Sequence, residues 1–261
     1  MIIYLAGCYS RPYVFEQMQL YLAGEHSVKN GNVCHKFVDG VYILESFFYV
    51  NKYITGLIPR LKGFLLDSGA FTFMQGQASV NWEDYVRKYA DYINENQVDR
   101  FFELDIDVLV GLKKVEGLRK LLEQLTGKQP IPVWHKSRGK DYFLAMAKDY
   151  PYVSIGGIVT KEITRDEHKY FPWFIDQAHA AGAKIHGLGY TNLTGLTKYK
   201  FDSVDSTSWL YGNRSGVIYR FDGRTIQKIQ APAGMGLKSR EAAAHNFKEW
   251  IKFQQYAEKY L

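Results

Sequence analysis

Gly63-Phe64-Leu65-Leu66-Asp67-Ser68-Gly69-Ala70-Phe71 is an apolar run stopped by a carboxylate, a hydroxyl, a glycine and an aromatic ring. A buried strand has this form where it leaves a sheet and enters a site. Ser68 and Gly69 let the backbone approach a ligand, and Phe71 offers a flat face to a planar group. Taken alone, the stretch reads first as an ordinary strand-to-turn exit, where Asp and Gly are common.

The same grammar recurs along the chain. Residues 2–6 form an apolar run before a polar turn, and Phe15, Met18 and Leu22 sit at helical spacing over 13–23. A second strand is expected over 38–44 and an amphipathic helix over 46–61. Asn81, with Asp84 three residues on, caps the next helix. A further apolar run over 100–107 ends at Asp105-Ile106-Asp107, a leucine-rich helix is expected over 108–125, and later apolar runs end at His135, Gly156-Gly157, His186-Gly187 and Asp205, with helical stretches between them. About eight strands alternating with helices predict a single-domain (β/α)8 barrel. The competing open, doubly wound sheet would carry GxGxxG after its first strand, and Gly7 has no such partners. In a barrel the strand ends share one mouth, so Asp67, Asp105, His135, Gly156, Gly157, His186, Gly187 and Asp205 are expected to converge there.

With 261 residues, 46% of them hydrophobic, the chain can bury a full core. Two cysteines, Cys8 and Cys34, are too few for a disulfide framework or a Cys-rich zinc site. The start carries no basic leader and no run of eighteen apolar residues occurs, so a soluble cytoplasmic protein with no membrane partner is expected. A net charge of +6 and a pI near 9.0 favour an anionic partner, nucleic acid first. Residues 209–230 interleave Trp209, Tyr211, Tyr219 and Phe221 with Arg214, Arg220, Arg224 and Lys228. That pattern suits a hairpin touching phosphates and bases, and equally a solvated hairpin. The last stretch, 239–261, reads as a helix that closes the barrel.

The motifs resemble the tRNA-guanine transglycosylase superfamily across most of residues 63–220. The DSGGF signature is matched by Asp67-Ser68-Gly69-Ala70-Phe71, with alanine at the second glycine, and the archaeal LDI element by Leu104-Asp105-Ile106. LGGVV is matched by Ile155-Gly156-Gly157-Ile158-Val159, a Gly-x-Gly strand end by Gly187-Leu188-Gly189, and the nucleophile segment by Val204-Asp205-Ser206-Thr207-Ser208-Trp209. Members acting on tRNA usually carry a Cys-x-Cys-x-x-Cys zinc element and an appended RNA-binding domain, and this sequence has neither. The resemblance is therefore nearest the compact, phage-type DpdA-like enzymes, which insert 7-deazaguanines into DNA.

That resemblance implies base exchange at C1′ by two displacements, with no cofactor and no zinc site. Asp205 is the expected nucleophile, with Asp202 of Phe201-Asp202-Ser203 as its rival, and Asp67 the general acid and base. Asp105 would accept from the guanine edge, Gly156 and Gly157 would donate to its carbonyl, Phe71 would stack on it, and Ser68, Gly69, His135, His186 and Gly187 would line the pocket. Lys136, Arg138, Arg214, Arg220 and Arg224 are expected to hold the phosphates. The partners would be single-stranded DNA or a flipped-out guanine, and a free 7-deazaguanine such as preQ0. An enzyme acting on tRNA, a barrel lyase or glycosidase acting on a small nucleoside or sugar, and a silent nucleic-acid-binding barrel are the other readings.

Overall fold

The computed structural model describes the chain apart from residues 11–25, 30–31, 36–39, 70–71, 73–79, 212–216 and 231–238. The helix expected over 13–23 lies outside the described residues. The strands are β1 (Ile2–Ala6), β2 (His26–Lys29), β3 (Asn32–His35), β4 (Tyr42–Ser46), β5 (Gly63–Asp67), β6 (Val133–Trp134), β7 (Tyr152–Ile155), β8 (Lys184–Gly187), β9 (Ser203–Ser206), β10 (Val217–Phe221) and β11 (Ile226–Gln230). Seven of them form one curled parallel sheet in the order β5-β4-β1-β9-β8-β7-β6, while β2–β3 and β10–β11 are separate antiparallel hairpins. The helices are α1 (Lys52–Leu57), α2 (Trp82–Glu95), α3 (Asp107–Val110), α4 (Leu112–Thr126), α5 (Gly139–Asp149), α6 (Phe171–Ala180), α7 (Leu193–Lys198) and α8 (Ser239–Tyr260). No helix among the described residues is long and apolar enough to cross a membrane.

The strand alternation sorts the core into two layers. Tyr4 and Ala6, Tyr42 and Leu44, Leu65, Phe102, Ile131 and Val133 form the concave layer, and Ile3, Leu5, Ile43, Phe64, Leu66 and Val204 pack in the layer that includes the helices. Both faces are buried, which is why the strands read as continuous apolar runs. Each large side chain so buried contributes about 1.5–3 kcal/mol. The same parity carries from Leu65 to Asp67 and from Val133 to His135, so these polar groups extend the concave layer at its rim.

The strand-like run expected over 100–107 is reduced to two residues. Isolated parallel bridges pair Leu66 with Phe101 and Phe102 with Ile131, and backbone bonds run from Phe102 N–H to Leu66 O (3.0 Å) and from Ile131 N–H to Phe101 O (2.8 Å). The segment thus links the two outer strands, β5 and β6. The Tyr89 hydroxyl, from α2, lies 3.1 Å from both the Leu66 and the Phe102 carbonyl. α2 starts where the sequence indicates: Asn81 Oδ1 accepts from the Glu83 and Asp84 N–H groups. The helix expected over 108–125 is broken at Gly111, whose φ of +79° ends α3 and starts α4. The expected helix over 46–61 is a turn followed by the short α1, capped by Asn51.

Beside the link lies a buried ion cluster. Glu103 accepts from Arg138 Nη1 (2.9 Å), Arg119 Nη1 (3.0 Å) and the Val133 N–H (2.8 Å), and Arg138 also donates to Asp107 through Nε (2.8 Å) and Nη2 (2.6 Å). Arg138 is therefore a structural cation rather than a phosphate contact, its charge wholly engaged by two carboxylates.

Of the two readings of the hairpin, the one that sets its rings on bases is corrected by their packing. Trp209 is buried, donating to Ala6 O at 2.9 Å and packing on Phe247, while Tyr219 meets Trp250 and Phe221 meets Phe253 and Tyr256. These rings face α8, so they pack core rather than bases. α8 runs back along β1, from Phe247 near Ala6 to Ala257, whose carbonyl accepts from the Met1 amine. β10 follows it from Val217, bonded by Asn246, to Phe221, on Phe253. The turn with Arg224 therefore lies toward the end of the sheet where the parallel strands begin.

Arg138→Ala should lower stability by about 3–5 kcal/mol, because it strands the buried Glu103 beside a single arginine. Lys136→Ala, at an exposed pair, should leave stability unchanged. Urea unfolding midpoints of the two variants check this.

Candidate active site

The C-terminal ends of the parallel strands open on a cleft of about 1640 Å³. Of the residues singled out in the sequence, Asp67, Asp105, His135, Gly157 and Asp205 line it, joined by Glu45 from the end of β4. Carboxylates from β5, β9 and the segment after Phe102 thus meet in one space.

Asp205 is held from behind. Its Oδ1 accepts from the Gly189 N–H at 2.5 Å and lies 3.2 Å from His186 Nε2. His186 is fully buried, and its Nδ1 lies 2.5 Å from Ser203 Oγ, which in turn meets the Tyr152 hydroxyl. Since a carboxylate only accepts, the chain is satisfied when Tyr152 donates to Ser203, Ser203 to Nδ1, and Nε2–H to Asp205. The second oxygen, Oδ2, takes no part in these bonds. His186 is thus not a pocket wall but the support of Asp205. Asp202, the rival nucleophile of the sequence, stands apart: it precedes β9, and its Oδ2 accepts from the Ile185 N–H (2.8 Å) and pairs with His179 Nε2 (2.8 Å). It lies at the opposite end of the strand from the cleft and serves as a structural acceptor.

Burial, with the charges of Asp105 and Asp205 added, pushes the Asp67 carboxyl up to about 7, against the Gly69 N–H that donates to Oδ2 at 3.1 Å. Burial likewise raises Glu45 to about 8; the Tyr9 N–H on Oε1 (3.1 Å) opposes this and the charge of Asp67 adds to it. Glu45 is 1% exposed and its Oε2 has no hydrogen-bond partner among the described residues. His135 goes the other way in charge. Burial favours its neutral form, but Asp105 at 3.5 Å from Nε2 and Glu162 at 3.0 Å from Nδ1 outweigh it and raise the ring to about 9. At neutral pH the cleft therefore holds one imidazolium among several acids.

The glycines serve packing first. At Gly69 (φ +81°) a Cβ would stand 2.9 Å from Phe48 Cβ and Ser46 Oγ, and at Gly156 one would stand 2.9 Å from His135 Cε1. The Gly156 N–H is taken by Trp134 O at 2.8 Å, so it cannot donate to a base. Gly157 (φ +76°) lines the cleft directly above Glu162, where a Cβ would stand 2.7 Å from Oε2. Gly187 is buried against Tyr190 and Phe201, and Ser68 is buried with its carbonyl accepting from the Tyr85 hydroxyl at 2.6 Å; neither lines the cleft. Phe71 and Arg214 lie outside the described residues. Lys136 pairs with Glu167, and Arg220 and Arg224 are exposed on the hairpin beyond the cleft lining.

Glu45 ends the apolar run Val41-Tyr42-Ile43-Leu44 and follows the same rule as Asp67, so the sequence did carry its signal. Glu162 comes from a loop with no periodicity to announce it. Among the described residues no group of three or more His, Cys, Asp or Glu is arranged to hold a metal ion. Compared with known proteins, the chain matches no family model and no curated protein.

A carboxyl raised on folding adds stability that is fully present below the unfolded value near 4 and is lost as pH rises through the folded one. For Asp67 and Glu45 that loss runs through about 7 and about 8. Asp67→Asn and Glu45→Gln should therefore gain on the native chain between pH 5 and 8.5, by on the order of 1–3 kcal/mol each. Equal pH slopes in the denaturation of all three proteins would contradict the assignment.

Proposed function

We propose that the chain is a DNA-guanine transglycosylase, exchanging guanine in DNA for a preQ0-like 7-deazaguanine through a covalent aspartyl-glycosyl intermediate. The observation that carries this reading is the meeting of Asp67 and Asp205 in one cleft, the first able to hold a proton near neutral pH and the second braced by Gly189 and His186. The architecture that fits it is a (β/α)8 barrel in which the Phe101–Phe102 link acts as the eighth strand. The choice of DNA follows the compact enzymes that the sequence resembles, and a cytoplasmic location goes with it.

In the first displacement Asp205 Oδ2 attacks C1′ and the C1′–N9 bond breaks. Its electron pair goes to the departing guanine, which takes the Asp67 proton. In the second, Asp67 removes the proton from the ring nitrogen of the incoming heterocycle, that nitrogen attacks C1′, and the ester C1′–O bond breaks to restore Asp205. Two inversions give net retention. Asp105 accepts from the N1–H and N2–H₂ donors of the guanine edge, and the His135 ring holds Asp105 in place between them and Glu162. A stacked duplex hides C1′, so the nucleotide must be single-stranded or extruded.

Incubation with guanine-containing single-stranded DNA should give an adduct that survives denaturation and is absent in Asp205→Asn, whose exchange of labelled guanine should fall at least about 1000-fold. Asp67→Asn should lose about 100- to 10,000-fold, and Asp202→Asn no more than a few-fold. Guanine release should decline as pH rises above about 7, where Asp67 loses its proton. Adduct formation on tRNA but not on DNA would move the substrate to RNA, and turnover of free nucleosides alone would make the protein a small-molecule enzyme.

A further inference from the structure

Two loops beyond the strand ends form facing walls of the cleft. β4 and β7 are separated in the curled sheet by β1, β9 and β8, so the chain leaving β4 and the chain leaving β7 stand across the mouth from one another. On the first side Tyr49 stacks on Tyr9, centroids 3.9 Å apart and planes within 3°, and both rings line the cleft. On the second side the loop after β7 supplies Lys161 and Arg165, the Lys and Arg among the described residues that line the cleft. Both are exposed, and neither forms an ion pair with a described residue.

That second loop is built rather than loose. Ile163 is buried and donates to Gly157 O at 3.0 Å, Thr160 Oγ1 reaches the same carbonyl at 3.3 Å, and Lys161 N–H reaches Ile158 O at 3.3 Å. Lys161 itself has φ +63°, a conformation that costs a non-glycine residue energy and that persists where surrounding bonds impose it. Thr164 and Glu167 form a capping box that fixes the backbone at Arg165. The two cations are thus presented on a fixed frame.

We propose that single-stranded DNA lies across this cleft with its phosphates on Lys161 and Arg165 and a base next to the reacting nucleotide on the Tyr9–Tyr49 stack. This rests on the base-exchange reading above and adds to it the track of the polymer. The charges of Asp105 and Asp205 repel a phosphate from the floor, so a backbone is held at the rim, where the two cations stand. The cleft volume of about 1640 Å³ exceeds the roughly 300–1000 Å³ that serves one small ligand, leaving room for neighbouring nucleotides. Aromatic stacking beside a basic rim is the combination that holds single strands without regard to sequence.

Fluorescence anisotropy of a labelled single-stranded DNA 12-mer tests the proposal on the full chain. The double variant K161A/R165A should bind about 10-fold more weakly at about 0.1 M salt. The slope of log affinity against log salt should fall by about 1.4, two phosphates' worth for a single strand. Tyr49→Leu should weaken binding about 5- to 100-fold and Tyr49→Phe should restore it. R220A/R224A should change neither affinity nor slope, and thermal unfolding should show all variants folded. Loss of the salt slope in R220A/R224A but not in K161A/R165A would overturn the proposal, as would tighter binding of the same-sequence RNA, or a native chain that does not bind the 12-mer. Binding through Lys161 and Arg165 without any covalent adduct would leave the track standing and remove the transglycosylase reading; an adduct formed equally well by K161A/R165A would do the reverse.

Discussion

Glu103 is the group on which the site's geometry depends. It follows the two-residue link between β5 and β6, and it spends one oxygen on the Val133 N–H and Arg138 and the other on Arg119. A buried carboxylate without such partners would carry a desolvation penalty of several kcal/mol, so its position dictates theirs. With Glu103 satisfied, the segment after Phe102 is fixed against β6, and Asp105 reaches His135 from two residues further on. Were the link to open, Asp67 and His135 would stand at two separate sheet edges and the cleft would lose one wall. The cation–π contacts of Arg138 with Tyr142 and of Arg119 with Tyr150 hold the guanidinium groups from their other sides.

The cleft concentrates like charge where the rest of the fold avoids it. Asp67, Asp105, Asp205 and Glu45 cannot all ionise cheaply in one partly buried space, so Asp67 and Glu45 retain protons to higher pH. The protein offsets this with fixed donors rather than with free cations: the Gly69 N–H for Asp67, the Gly189 N–H for Asp205 and the Tyr9 N–H for Glu45. Each of these comes from the turn immediately beyond a parallel strand. That is also why small residues gather there, since the turns must fold back tightly enough to aim a backbone N–H at a side chain on the neighbouring strand or two residues away.

Much of this could be read in the chain because parallel strands buried on both faces leave plain marks. An apolar run that stops at an acid identified β5 and β9, and the alternation from Leu65 to Asp67 put the acid on the concave side. What escaped reading depended on register or on distant partners. Phe201-Asp202-Ser203 and Val204-Asp205-Ser206 look alike as text, yet three residues along a strand move a side chain from one end of the sheet to the other. Arg138 looks like a phosphate ligand until Glu103 and Asp107, more than thirty positions earlier, are placed beside it. The hairpin carries a legible mark of its own: Val217, Tyr219 and Phe221 alternate with Ile218 and Arg220, and that period of two marks an apolar face laid on α8.

On the base-exchange reading, the coupling between Asp67 and Asp205 also orders the two half-reactions. While Asp205 is ionised its charge helps keep the proton on Asp67, which is the state needed to protonate a departing base. Attack on C1′ turns Asp205 into a neutral ester and removes that charge, so Asp67 becomes a stronger acid as the leaving group requires its proton. When the second base attacks, the ester bond breaks and the charge on Asp205 returns. The affinity of Asp67 for a proton then rises just as the incoming ring nitrogen must give one up. Bond making at one carboxylate thus drives proton transfer at the other in both directions, with no change of conformation, and the two acids need only share a cleft in which neither is fully screened by water.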